Sequence, residues 1–333
     1  MTSAHKNQLD DPHSVALHRF AVLCAAATFI LIFVGGLVTS TGSALAVPDW
    51  PLAYGRLVPK LVGGVRFEYG HRVVAGVVVM LTIVLALWIA MVERRSWVRK
   101  TAFAAAGLIV LQAILGGITV LYLLPLPIAV AHAGTAQALF CLMVAMALFT
   151  NPKFGTGPRL RGDAARSRAA TLATVTTAVV YTQILIGAVM RHLGAGLAIP
   201  DFPTSFGHLV PPFAGIGIDV NFAHRCGAVV VSVLVLWTVG RVLSRYRDRA
   251  ELTHPAFLLL GLLLLQVSLG AMTIWSGRAV LPTTAHVAVG AGVLATSLAL
   301  TIRLRAMGGL ASAAEAATVR SPIPPTMERK VTA

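Results

Sequence analysis

Four histidines stand out by their placement. Among the ten in this 333-residue chain, His71, His132, His224 and His286 each sit a few residues inside the start of an apolar run. The others lie in terminal or connecting segments: His5, His13, His18, His192, His208 and His254. Ionisable groups inside such runs are rare and usually functional. Two imidazoles facing each other across a helical bundle form an axial ligand pair for a haem iron. A non-haem metal and plain interhelical hydrogen bonding are the competing readings. Arg72 and Arg225 directly follow two of the histidines. Their guanidiniums suit the carboxylates of a bound haem, or they are interfacial arginines reaching for the headgroups. Gln112 and Gln266 lie mid-run and either bond a haem substituent or a neighbouring helix.

The elements that must position these residues are membrane helices. The composition is 57% apolar and only 12% charged, against about 25% charged for a soluble domain. That excludes a soluble enzyme and a disordered chain. Eight runs are long enough to span a bilayer as helices: 20–40, 69–92, 102–122, 128–149, 170–190, 222–243, 256–276 and 283–303. Of the 27 Lys and Arg, 20 fall in the N-terminal tail, after spans 2, 4 and 6, and at the C-terminal end. The positive-inside rule then puts both termini in the cytoplasm and the four histidines near the outer face of the cell membrane. The net charge of +15 thus follows from topology. It points to anionic lipid headgroups as a partner, not to nucleic acid. Ala44-Leu45-Ala46 resembles a signal-peptidase site, but the first apolar run is too long for a signal peptide and no cleavage is expected. Cys24, Cys141 and Cys226 all lie in apolar runs, which leaves no disulfide framework.

The chain reads as a duplication. Pro48-Asp49-Trp50-Pro51 recurs as Pro200-Asp201-Phe202-Pro203, within a longer match at an offset of 152. His71-Arg72 recurs as His224-Arg225, and Gln112, Gly116, Thr119 and His132 recur as Gln266, Gly270, Thr273 and His286. An even number of spans per unit keeps both units in one orientation. The expected fold is therefore all-α and integral to the membrane, eight transmembrane helices as two tandem pseudo-symmetric four-helix bundles. Its divisions are a cytoplasmic tail at 1–17, an N-terminal bundle at 18–150, a cytoplasmic linker at 151–169, a C-terminal bundle at 170–305 and a disordered cytoplasmic tail at 306–333. The two Pro-Asp-aromatic-Pro segments read as stiff outer turns in which Asp bonds its own backbone.

The copies differ at one informative place. Glu68, one helical turn before His71, is matched by Asn221. A carboxylate can relay a proton and an amide cannot. This marks the N-terminal unit as reactive and the C-terminal one as electron-storing. The competing reading is a carboxylate favoured by a helix N-terminus.

These residues resemble the haem A synthase family over roughly 18–305. The resemblance rests on the eight spans in two halves, Glu68-Tyr69-Gly70-His71-Arg72, Ala131-His132-Ala133-Gly134, Phe222-Ala223-His224-Arg225, Ala285-His286 and the twin outer loops. It implies oxidation of the C8 methyl of haem O to a formyl group by successive hydroxylations, giving haem A for terminal oxidases. It also implies that His224 and His286 hold a permanent haem b, that His71 and His132 serve the substrate haem O, and that Glu68 is catalytic. The haem O synthase is the implied delivery partner, and the electron donor is not identified. Many members carry a cysteine pair in the first outer loop, where this chain has Val47 and Ala53. The alternative reading is a bis-histidine cytochrome b passing electrons from quinol, with two equivalent haems.

Overall fold

The computed structural model describes residues 12–154 and 164–307. Among them are eight long α-helices, each long and apolar enough to cross a membrane, and no strand. We number them α1 (Pro12–Ser40), α2 (Val65–Val92), α3 (Ser96–Leu121), α4 (Leu126–Phe149), α5 (Ala164–His192), α6 (Ile216–Arg245), α7 (Ala250–Trp275) and α8 (Val280–Ala306). The N-terminal tail before residue 12, the centre of the expected linker and the tail after residue 307 lie outside the described residues.

Most helices overrun the apolar spans. α2 begins at Val65 and so includes Arg66 and Glu68, and α6 begins at Ile216 and includes Asp219. Helices of 24 to 30 residues are about 36–45 Å long at 1.5 Å per residue. That exceeds a hydrocarbon core of about 30 Å, so the surplus turns carry the charged residues. His192, expected in a loop, is the last residue of α5.

The helix contacts close two rings. α1 packs on α2, α2 on α3, α3 on α4, and α4 back on α1. α5 to α8 repeat this order. The rings meet through α1, α4, α5 and α8. Each ring has its own apolar plug. Leu85, Ile89, Val98, Ala102, Leu139 and Met143 fill the first, and Val235, Val242, Leu252, Leu259, Leu300 and Leu304 fill the second. Ile32, Phe140, Ala291 and Ala295 pack where the rings touch. In lipid these contacts stabilise through close packing, since tails are as apolar as leucine, and interhelical hydroxyl bonds add to it. Thr176 to Thr238 and Thr177 to Ser297, both at 2.8 Å, are such bonds in the second ring. Both plugs occupy the end of the ring opposite the long loops 41–64 and 193–215. The other end, here the loop end, is where glycines and polar side chains collect.

Candidate functional site: paired histidines under folded loops

The four histidines come together as two pairs at the loop end, one pair per ring. His71, His132 and His286 each lie six residues after the first residue of their helix, and His224 eight. At 1.5 Å per residue this is about 9–12 Å into the helix, deeper than the apolar spans alone indicate.

Each imidazole lies over a glycine of the preceding helix. His71 sits against Gly35, His132 against Gly116, His224 against Gly187 and His286 against Gly270. A Cβ at these glycines would come within 3.1, 3.3, 2.9 and 3.1 Å of the respective ring. A side chain there would push the imidazole inward, so the four glycines create the space the rings use. Gly116 and Gly270 stand out in the sequence as repeated. Gly35 and Gly187 were missed, although they recur at the same offset of 152 as the loops.

In the C-terminal pair the rings of His224 and His286 have centroids 6.4 Å apart. With metal–nitrogen bonds of about 2 Å and about 1.2 Å from nitrogen to ring centre, two imidazoles flanking one metal put their centroids about 6.4 Å apart. The separation therefore fits a single iron between them. Among the described residues, no three His, Cys, Asp or Glu side chains come together. A pair of histidines and no third ligand would suit a macrocycle that supplies its own four donors, and would not suit zinc, which takes three or four protein ligands.

The ring nitrogens facing away from such a metal distinguish the pairs. His286 Nδ1 lies 3.1 Å from the Gln266 carbonyl oxygen, and His224 Nδ1 lies 3.0 Å from the Gln183 amide. His71 and His132 are different: both Nδ1 atoms are buried with no hydrogen-bond partner. The two are near enough to interact electrostatically, but no ring contact like that of His224 and His286 joins them among the described residues. Gln183 has no counterpart, because the matching residue of α1 is Leu31. The glutamines at the repeated position bond between helices: Gln112 donates to the His132 carbonyl at 2.9 Å, and the Gln266 amide lies 3.3 Å from His286 Nε2.

The loops fold down over each pair. Asp49 accepts from the Tyr54 and Gly55 N–H groups at 2.6 and 2.8 Å, and Asp201 from Phe206 and Gly207 at 2.7 and 2.9 Å. These donors, Gly55 and Gly207 foremost, hold both carboxyls below their usual value. The aspartates are thus structural turn residues. Arg72 ties the first loop to α2 by donating to the carbonyls of Val47, Asp49 and Leu52, and Arg225 does the same for the second through Ile199 and Thr204. Val47 and Ala53, 0% and 2% exposed, pack in one small cluster with Val65. Apolar contact closes that part of the loop here, and the three cysteines are free.

Glu68 is 4% exposed. Its carboxylate accepts from Arg72 at 2.6 Å and from the Val47 N–H at 2.8 Å. Asn221 occupies the same station: it accepts from Arg225 Nε at 2.9 Å and donates to the Ala195 carbonyl at 2.9 Å. A neutral amide thus pins the second loop. Glu68 does it by accepting from the loop, Asn221 by donating to it.

The comparison with known proteins decides the family. A model of a cytochrome oxidase assembly protein family matches residues 18–64 and 67–298. The haem A synthase of Symbiobacterium thermophilum is 32% identical over 271 residues, covering 77% of this chain and 85% of that protein. The enzyme of Listeria monocytogenes is 30% identical over 275 residues, covering 80% and 88%. That of Shouchella clausii is 31% identical over 239 residues, covering 67% and 76%. The chain belongs to the haem A synthase family. Within that family frame, the residues expected from the sequence to hold haem are the four that the fold pairs at the loop end. Arg72 and Arg225 lie beside them, committed to the loops.

Proposed function

We propose that this protein is a membrane oxidoreductase that converts haem O to haem A, with haem O bound in the N-terminal ring (18–150) and a resident haem b in the C-terminal ring (170–305). The observation that carries this division is the difference at Nδ1. A ligating histidine is held in tautomer and orientation by a partner on its other nitrogen. His286 has an acceptor there in the Gln266 carbonyl, and Gln183 holds the His224 ring in orientation from the same side, which suits a permanently held cofactor. His71 and His132 have none and suit a group that must enter and leave.

Haem b, when bound, supplies one-electron redox chemistry. The chain's own residues do the rest. His71 and His132 orient the substrate, and the loop over them limits water. Glu68, fixed by Arg72 and the Val47 N–H, is placed to take or pass the protons released as the C8 methyl of haem O is oxidised to the formyl group. Arg72 and Arg225 border the two sites as positioning residues. The histidine end faces the outside of the cell membrane, both termini face the cytoplasm, and the two rings are related by a pseudo-two-fold axis along the membrane normal. The haem O synthase, which makes the substrate in the same membrane, is the natural delivery partner.

The test is mass spectrometry of haems extracted from cells that make haem O, with and without this protein. Hydroxylated haem O and haem A should appear only with it. Haem b and haem O alone, from cells holding folded, haem-loaded protein, would instead support a cytochrome b that carries electrons from quinol. That reading predicts two equivalent sites, and the two Nδ1 environments argue against it.

A further inference from the structure

Arg72 and Arg225 are engaged with the loops, so the carboxylates of a haem need other cations. Arg191 is on the right face of the right helix. It follows Gly187, the cradle of His224, by four residues, which places it on the same side of α5 one turn nearer the loop end. One amino group of Arg191 donates to the Gly36 carbonyl and the Ser40 hydroxyl, both at 2.9 Å. Thr284, two residues before His286, donates to the same Ser40 hydroxyl at 3.0 Å. The guanidinium therefore lies against α1 and beside the helix of His286, one turn beyond the glycine that cradles His224. Its Nε is buried with no acceptor. Arg278 approaches from the α7–α8 turn, its stem lying over Gly196 and its charge within reach of Arg191.

Among the described residues neither arginine forms an ion pair. The ion pairs among the described residues are Arg72–Glu68, Arg95–Glu93 and Arg249–Glu251. At this end Asp49 and Asp201 are held by backbone donors and Glu68 by Arg72, and Asp219, in the first turn of α6, forms no ion pair with either arginine among the described residues. Arg166 and Arg303 also have an orphan Nε, but they lie at the opposite end, away from the histidines. Two neighbouring cations without a carboxylate repel each other, and an anion between them relieves that. The first ring has no equivalent: Thr39 and Leu124 stand where the second has Arg191 and Arg278.

We propose that Arg191 and Arg278 form the anion site that receives the propionate carboxylates of the haem held by His224 and His286. This rests on the assignment of a resident haem to that pair. It adds a second reason why that haem stays: the carboxylates are held in one ring only.

The experiment uses the purified holoprotein and follows haem transfer to apomyoglobin, the midpoint potential of the bound haem and its redox-linked infrared carboxylate bands. Arg191→Gln and Arg278→Gln should each speed haem loss about tenfold, the scale of one charge-assisted hydrogen bond. Each should also move the potential to more negative values, because a positive charge near the iron favours the reduced state, and each should shift the carboxylate bands. Arg191→Lys should recover most of the potential. Ser40→Ala removes the helix-tying partner but keeps the guanidinium, and should leave potential and bands as in the wild type. Unchanged potential and bands in both glutamine variants, or the same changes in Ser40→Ala, would overturn the proposal. A His286→Ala protein that keeps a bis-imidazole haem spectrum would overturn the parent assignment, and this inference with it.

Discussion

The two rings share one scaffold and differ in what surrounds their histidines. Both set two histidines over glycines, both fold a Pro-Asp-aromatic-Pro loop above them, and both tie that loop down with the arginine after the first histidine. What differs is the next layer. The C-terminal histidines are anchored through Nδ1 to Gln183 and Gln266, and their loop is pinned by neutral Asn221. The N-terminal histidines have unpartnered Nδ1 atoms, and their loop is pinned by charged Glu68. Anchored ligands with no carboxylate beside them suit a resident cofactor, as proposed above. Loose ligands beside a carboxylate suit the proposed substrate, which must be exchanged and deprotonated.

The strongest break of this comparison removes one ligand from each ring. His286→Ala should abolish the low-spin haem b spectrum of the purified protein, whereas His71→Ala should keep it and lose haem A formation. Equal loss of haem from both variants would make the rings equivalent. Next in size is Glu68→Gln, which preserves an acceptor for Arg72 but cannot exchange a proton. Oxidation should fall about 10²–10⁴-fold, the range for losing a general acid–base group, with haem b content unchanged. An active Glu68→Gln enzyme would reduce Glu68 to the loop-pinning role of Asn221. A milder change converts one ring towards the other. Gln183→Leu installs the residue of the first ring and should weaken haem b retention about 10–100-fold, as loss of a partner to a ligating histidine does. Haem dissociation rates measure it, and wild-type retention would remove Nδ1 anchoring as the basis of the difference.

Much of this was legible in the sequence because the chemistry is written twice. Offsets of 152 to 154 exposed the histidines, the loops, Gln112 and Gln266, and the mismatch of Glu68 with Asn221. Apolar run length exposed eight helices, though not their true ends, because the turns beyond the hydrocarbon carry charges such as Arg66 and Asp219. The cradle glycines at 35 and 187 also repeat, but a glycine in an apolar helix has no distinctive neighbour until the packing partner is known. Gln183, Arg191 and Arg278 were hidden for the opposite reason. They break the repeat, facing Leu31, Thr39 and Leu124, and their meaning comes from contacts between helices. The sequence reading of Arg72 and Arg225 offered haem carboxylates or lipid headgroups, and the contacts show loop carbonyls taking their donors.

The smallest expected effect lies in the loops themselves. Asp201 has a donor that Asp49 lacks, the Thr204 hydroxyl at 2.6 Å, where the first loop has Leu52. Both carboxyls sit below their usual 3.8. A lowered carboxyl contributes loop stability that is complete above the unfolded value and disappears as the pH falls through the folded one. Down to about pH 4, the ordinary carboxylate range, both loops should therefore stay equally protected. Below it, hydrogen-exchange protection of the Tyr54 and Gly55 amides should disappear before that of Phe206 and Gly207. Thr204→Val should bring the second loop's transition up to that of the first. If the order reversed, or if the variant left it unchanged, the extra hydroxyl would not be what sets the two loops apart. The difference between the rings would then lie in the histidines, their glutamines, Glu68 and the Arg191–Arg278 pair, not in the loops.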